Sequence, residues 1–171
     1  LLAYVKANKD KVTLANAGIG AASHLCGMLL MSALEAPLTT VPYKGTGPAM
    51  TDLLGGQVDI MCDQTTNTTK QIQGGTIKAY AVTSPARLDV LPDIPTTEEA
   101  GLPGFQVGIW HGIYAPKGTS PEVLDKLSKA LQKALKDENV IARFAELGTK
   151  PSSEADATPA ADYAGRRARM S

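Results

Sequence analysis

The sequence predicts an α/β protein whose sheet is largely parallel, and three observations predict it. Short apolar runs of strand length alternate with helical segments through residues 1–83, the order that produces parallel pairing through helical crossovers. Two glycine-bearing turns, Asn16-Ala17-Gly18-Ile19-Gly20-Ala21 and Tyr43-Lys44-Gly45-Thr46-Gly47-Pro48, each fall between an expected strand and an expected helix. From Pro85 the composition changes to a proline- and glycine-rich connection, followed by three helical segments and a single extended one. One strand makes no sheet, so this half is expected to pack on strands found elsewhere. The expected architecture is one full lobe plus the return portion of another, divided as 1–104 and 105–171.

Residues 1–8 read as the last turns of a helix, 12–15 as a strand, and 22–34 as a helix apolar on nearly all sides and therefore buried. A strand at 38–42 leads into a short helix at 47–54, which Gly55-Gly56 stops. The third strand is expected at 58–62 and a helix at 66–73, ended by Gly74-Gly75. A fourth strand is expected at 77–83. Pro85, Pro92, Pro95 and Pro103, with Gly101 and Gly104, mark a surface connection carrying one short helix at 96–100. Residues 107–115 form the extended segment. Ser120 is then the N-cap and Pro121 the first position of a helix over 121–136. Val123, Leu124, Leu127, Leu131, Ala134 and Leu135 recur on one face of it. Val140, Ile141, Phe144 and Leu147 give the next helix, over 140–147, a similar stripe, and Gly148 ends it. A last helix is expected over 159–170.

Composition narrows the function. The chain has 171 residues, 43% hydrophobic and 20% charged, with a formal net charge of zero, which suits a globular protein and argues against a nucleic-acid partner. The one dense basic run, Arg166-Arg167-Ala168-Arg169, reads as the solvated face of the terminal helix. No apolar run approaches the roughly 20 residues of a membrane span. Residues 1–6 read as mid-helix rather than as a leader, so the chain is expected to start inside a longer protein. Cys26 and Cys62 each lie in an apolar segment, where a buried free thiol is the usual state. A disulfide between them is the alternative, and their spacing matches no metal-ligand pattern.

A strand running through a Gly-x-Gly turn into a helix leaves the first N–H groups of that helix without backbone partners, under the positive end of its dipole. Glycine also lets a ligand approach the backbone closely. The first turn thus makes Ala17, Gly18, Gly20, Ala21, Ala22 and Ser23 candidates for binding a phosphate or carboxylate. The second makes candidates of Tyr43, Lys44, Gly45 and Thr46. Both turns follow strands at the same sheet edge, so they can converge on one small anion. Gly-x-x-x-x-Gly-Lys-[Ser/Thr] is absent, so no nucleotide P-loop is supported. Asp63 follows the third strand at that edge, where open α/β sheets bind ligands. As an anion it would orient an amino group or hold a loop rather than bind a carboxylate. Asp59, at the other end of the strand, reads as a solvated carboxylate or turn contact. Ser23-His24 lacks a nucleophile elbow, and adjacent helical residues do not face one another. Ser23 is expected to serve the helix N-terminus and His24 to begin the buried face. His111 reads as structural. No catalytic set, cofactor or metal is expected, which favours a binder over an enzyme.

Several segments together resemble the solute-binding receptors of tripartite tricarboxylate transporters, the Bug-type family. They are Gly18-Ile19-Gly20-Ala21-Ala22-Ser23-His24-Leu25, Val41-Pro42-Tyr43-Lys44-Gly45, Met50-Thr51-Asp52-Leu53-Leu54-Gly55-Gly56-Gln57-Val58-Asp59, Ala79-Tyr80-Ala81-Val82-Thr83-Ser84, Leu91-Pro92-Asp93-Ile94-Pro95-Thr96, Glu99-Ala100-Gly101-Leu102-Pro103-Gly104-Phe105 and Ala115-Pro116-Lys117-Gly118-Thr119. The resemblance implies a periplasmic-binding-protein-like architecture of two lobes that closes on a small carboxylate, without metal or catalysis, and passes it to membrane subunits. It also implies that the amino-terminal part of lobe one is missing here and that the loop at 18–23 contacts a ligand carboxylate. Ala21 and Ala22 stand where the family often has hydroxyl residues, so only backbone donors carry over there. Cys62 replaces a usual aromatic and Gln64 a usual asparagine, which alters the expected pocket shape. A monomer is expected at full length. The alternative reading is a ligand-sensing module of a regulator or sensor kinase, since similar folds serve there.

Overall fold

In a computed structural model, residues 1–153 are described. The chain divides into two compact units, Leu1–Ile109 and Trp110–Ser171. The expected helix at 159–170 and its basic run lie outside the described residues.

The first unit is built on a three-stranded parallel sheet. Helix α1 (Leu2–Ala7) precedes β1 (Thr13–Asn16), α2 (Ala22–Leu34), β2 (Thr39–Pro42), α3 (Thr46–Leu54), β3 (Ile60–Met61) and α4 (Thr65–Gln73). The strand order is β2-β1-β3. Thr13 pairs with Thr39 and Ala15 with Val41 on one side of β1, and Leu14 pairs with Ile60 on the other. As the central strand, β1 is covered on both faces, because successive side chains point to opposite sides. Leu14 joins Val5, Val12, Leu34, Ala36 and Leu38 in one cluster, whereas Ala15 joins Ala49 and Val58 in the other. Gly27 allows the close packing of α2 on β1: a Cβ there would lie 2.8 Å from Leu14 Cδ2. At the strand starts, Asp59 Oδ2 accepts both the Thr13 N–H and the Thr13 hydroxyl at 2.8 Å, the turn contact expected of it.

Three expectations are corrected. The fourth strand at 77–83 does not form. Only Val82 makes a bridge, with Thr96, flanked by its N–H to Pro95 O and the Thr97 N–H to Val82 O. The backbone groups of Val82 are thereby taken by the segment 95–97 rather than by a neighbouring strand. The helix at 96–100 is a single turn, Ala100 N–H to Thr96 O, with Glu99 and Thr96 exchanging side chain–backbone hydrogen bonds as a capping box. Arg87 Nε reaches Glu99 Oε2 at 2.9 Å and holds this turn against the connection. The segment at 107–115 is not a strand; its first residue is tied to Thr83 through Val107 N–H and Thr83 Oγ1.

A fourth correction concerns the cysteines, which are not free thiols. Cys26 and Cys62 form a disulfide across 36 residues of sequence, with Cα atoms 6.1 Å apart, inside the range such a bond requires. Parallel pairing of β1 with β3 brings the residue after β3 beside the second turn of α2, a proximity that spacing along the chain does not reveal.

In the second unit, α5 (Pro121–Leu135) and α6 (Glu138–Glu146) are each capped by a side chain. Ser120 Oγ accepts the Val123 N–H, with Pro121 at the first position, and Asp137 Oδ1 accepts the N–H groups of Asn139 and Val140. No residue of either helix is buried. Val123, Leu124, Leu127 and Ile141 are each more than two-fifths exposed.

Candidate ligand-binding site

The carboxyl ends of β1, β2 and β3 open onto three strand–helix junctions, and every expected site residue lies on one of them. The first two junctions are joined by backbone. Tyr43 N–H donates to Asn16 O at 2.9 Å and Gly45 N–H to Ala17 O at 3.0 Å, extending the β1–β2 ladder into the two turns. Gly18 completes the approach: its φ is +126°, and a Cβ there would lie 3.2 Å from Tyr43 O. Gly20 differs. Its φ of +83° also favours glycine, but the space beyond it is open.

Within the first turn, several donors are already matched. Ala17 N–H donates to Ser23 Oγ at 2.9 Å, Gly18 N–H to Asn16 Oδ1 at 3.0 Å, Gly20 N–H to His24 Nδ1 at 3.3 Å and Ala21 N–H to Gly18 O at 3.1 Å. Buried Ser23 therefore closes the turn on the Ala17 side rather than capping the helix, and half-buried His24 serves its rim. The two side chains accept from different backbone groups. Neither α2 nor α3 has a side-chain cap at its N-terminus, so the leading N–H groups of Ala22 and Ser23, and of Thr46 and Gly47, are the ones helix geometry leaves for an outside acceptor. Capped α5 and α6 show the alternative arrangement.

Polar side chains complete the edge. Tyr43 Oη donates to Asp52 Oδ2 at 2.7 Å, and that carboxylate holds the phenol above its ordinary value. Asn67 Nδ2 donates to Thr46 Oγ1 and Asp63 Oδ1, both at 3.3 Å. Burial pushes the Asp63 carboxyl up, against opposing hydrogen bonds from Gln64 N–H, Asn67 and Thr46. Lys44 is exposed on the second turn. Asn16, Asn67 and Asp52 were not among the expected site residues. Asn16 at a strand end before Ala-Gly carries the local signal of a side chain that accepts from the N–H two residues on. Asn67 lies in the first turn of α4, and Asp63 immediately precedes the Gln64 N-cap of that helix, so the two are four residues apart across the helix start.

Comparison with known proteins decides the family. The sequence model of the tripartite tricarboxylate transporter family receptor (TctC) matches residues 1–164. The chain belongs to that family. It is 57% identical over 161 residues to a UPF0065 protein encoded in the TAR-I ttuE–ttuC′ intergenic region of Agrobacterium vitis, a match covering 94% of this chain and 46% of that protein. The structure of the periplasmic binding protein BugD superposes with a TM-score of 0.93 at 57% identity, covering 99% of this chain and 56% of BugD. MatC from Rhodopseudomonas palustris, solved with bound malate, also superposes with a TM-score of 0.93, at 38% identity, covering 99% of this chain and 57% of MatC. The chain thus spans about half the length of the relatives it matches. The fold is that of periplasmic binding proteins, and the Bug-type resemblance holds. No helix among the described residues is long and apolar enough to cross a membrane.

Proposed function

We propose that this receptor-family chain captures a small carboxylate outside the cytoplasm, alters no bond in it, and delivers it to the membrane subunits of a tripartite tricarboxylate transporter. The observation that carries this reading is the pair of joined strand–helix turns with uncapped helix N-termini at one sheet edge. Two sets of leading N–H groups, each at the positive end of a helix dipole, suit the paired oxygens of a carboxylate. Ala22 and Ser23 donate from the first helix and Thr46 from the second. Ala17, Gly18, Gly20 and Ala21, whose own N–H groups have acceptors, shape the turn, with Gly20 on its open side. Tyr43 and Gly45 hold the second turn, and Lys44 adds positive charge. Asp63 stands ready for an amino or hydroxyl group of the ligand, which gives selectivity among acids. Malate in MatC supports this chemical class. Residues 1–104 are the ligand-binding lobe in this reading, and 105–171 belong to the other lobe of a full-length monomer. The Cys26–Cys62 disulfide supports the periplasm, since such bonds persist in oxidising compartments.

The test is a calorimetric and thermal-shift screen of the full-length protein. It would cover mono-, di- and tricarboxylates, amino acids and aromatic acids, with neutral sugars and divalent metals as controls. At least one organic acid should bind and raise the melting temperature. Binding of sugars or metals with no response to any acid would overturn the reading.

A further inference from the structure

The three junctions are held together unequally. The first two share backbone hydrogen bonds between residues 16–17 and 43–45. The third follows β3, whose ladder with β1 consists of Leu14↔Ile60 and Ala15↔Met61 and stops one residue short of Cys62. Beyond that point Asn67 links Asp63 to Thr46 by hydrogen bonds of 3.3 Å, at an exposed position. The disulfide begins where the ladder ends. Cys26 is 4% exposed on α2, one turn past Ser23, whose hydroxyl closes the first turn. Cys62 is the residue immediately before Asp63. One covalent link therefore ties the helix that carries the first turn to the strand end that carries the third junction.

We propose that the Cys26–Cys62 disulfide is a positioning device for the ligand site. It holds Asp63 and the start of α4 in register with the first turn of α2, so the oxidised protein binds its carboxylate more tightly than the reduced one. The reason is preorganisation: a junction already fixed loses less freedom when ligand orders it. A bond serving only to staple the fold could sit at any buried pair of positions. This one joins α2, whose first turn follows β1, to the residue immediately before Asp63, beyond the end of a two-residue ladder. The inference rests on the carboxylate-site reading above, and its experiment separates the two.

Full-length protein would be compared in three forms: oxidised, reduced with dithiothreitol, and as the Cys26→Ala/Cys62→Ala double variant. Reduction places two electrons and two protons on the pair, giving two thiols and leaving dithiothreitol as its cyclic disulfide; thiol titration before and after confirms each state. Malate, succinate and aspartate are the probes, titrated calorimetrically at a temperature where circular dichroism shows every form folded. We expect the reduced protein and the double variant to bind the responding probe at least tenfold more weakly. Amide exchange should become faster at residues 17–23 and 63–67 and stay unchanged in β1. A fall in melting temperature with unchanged affinity and unchanged exchange at both junctions would make the bond a staple alone and overturn the proposal. Two free thiols in the untreated protein would overturn it as well. If the oxidised form binds none of the probes, the carboxylate reading loses support, and the exchange comparison still decides whether the bond orders the junctions. Should the double variant fail to fold, reduction of the folded protein supplies the same comparison.

Discussion

Gly18 and Gly20 sit two residues apart and play different parts. Gly18 is favoured by the fold: its φ is positive, and a Cβ there would crowd Tyr43 O at 3.2 Å, so the turn would have to shift to admit one. Gly20 has positive φ but open space, so a side chain there would stand in the path of a ligand rather than in the core. Gly20→Val should therefore weaken carboxylate binding at least tenfold, about 1.4 kcal/mol, while circular dichroism and the exchange pattern of β1 stay as in the parent. Normal folding with unchanged affinity would show that ligand does not approach this turn. Ser23 illustrates the opposite case. Its hydroxyl reads from the sequence as a ligand or helix contact, whereas burial and the Ala17 N–H make it a brace of the turn.

Among elements, the proline-rich connection after Thr83 carries an ion pair, Arg87–Glu99, and a capping box that share one carboxylate, so the order of that turn should depend on pH. The Arg87 guanidinium and then the Thr96 N–H hold the Glu99 carboxyl below its ordinary value of 4.5. A carboxyl depressed in the folded state contributes stability above its unfolded value, and that contribution fades as pH falls from about 4.5 through the folded value. Both partners are about half exposed, so the effect on global stability is small. The local effect is measurable: amide exchange at Thr96, Thr97 and Leu102, corrected for the intrinsic rate, should accelerate below that pH in the parent. Glu99→Gln should show the faster exchange already at pH 7 and lose the pH dependence. Equal behaviour of the two proteins would mean that the turn is held by Val82 and its neighbours instead. In the sheet, the 36-residue loop closed by Cys26–Cys62 contributes on the order of 4 kcal/mol in the chain-entropy account of disulfides. That is a large share of the stability of a small domain.

At the scale of the whole molecule, the two units differ in how they bury their apolar residues. In the first, β1 is enclosed on both faces by α2 and α3 and their neighbours, although α2 is not buried all round as its composition predicts: Leu25, Met28 and Leu29 on its outer side stay about half exposed. In the second, the stripes of α5 and α6 are laid out at helical spacing yet remain largely exposed. An aliphatic side chain left half in water forgoes about 1 kcal/mol, and there are several on each stripe. Expressed alone, residues 1–171 should show an ordered first unit and a second unit that is loose or self-associates. Light scattering and amide exchange measure this directly. A monodisperse monomer with slow exchange throughout residues 121–147 would contradict it, and with it the expectation that these stripes pack on strands from outside the chain.

Patterns of period and punctuation were readable in the chain itself. The alternation through residues 12–73, the two glycine turns, the Ser120–Pro121 helix start and the amphipathic stripes each depend on residues close in sequence. The family was legible for the same reason, since its motifs are local. Tertiary structure decided what depends on distant partners. Residues 77–83 read as a strand in the sequence, but a strand needs a ladder, and the backbone groups of Val82 bond with Pro95 and Thr97 instead. Ala17 and Gly18 carry donors that look open in the sequence, yet Ser23 Oγ and Asn16 Oδ1 accept them once the turn closes. Cys26 and Cys62 are separated by 36 residues and read as two buried thiols, because only parallel pairing of β1 with β3 sets their Cα atoms 6.1 Å apart. Local periodicity follows from the backbone's own geometry, whereas bonds between junctions follow from how the strands are ordered in space.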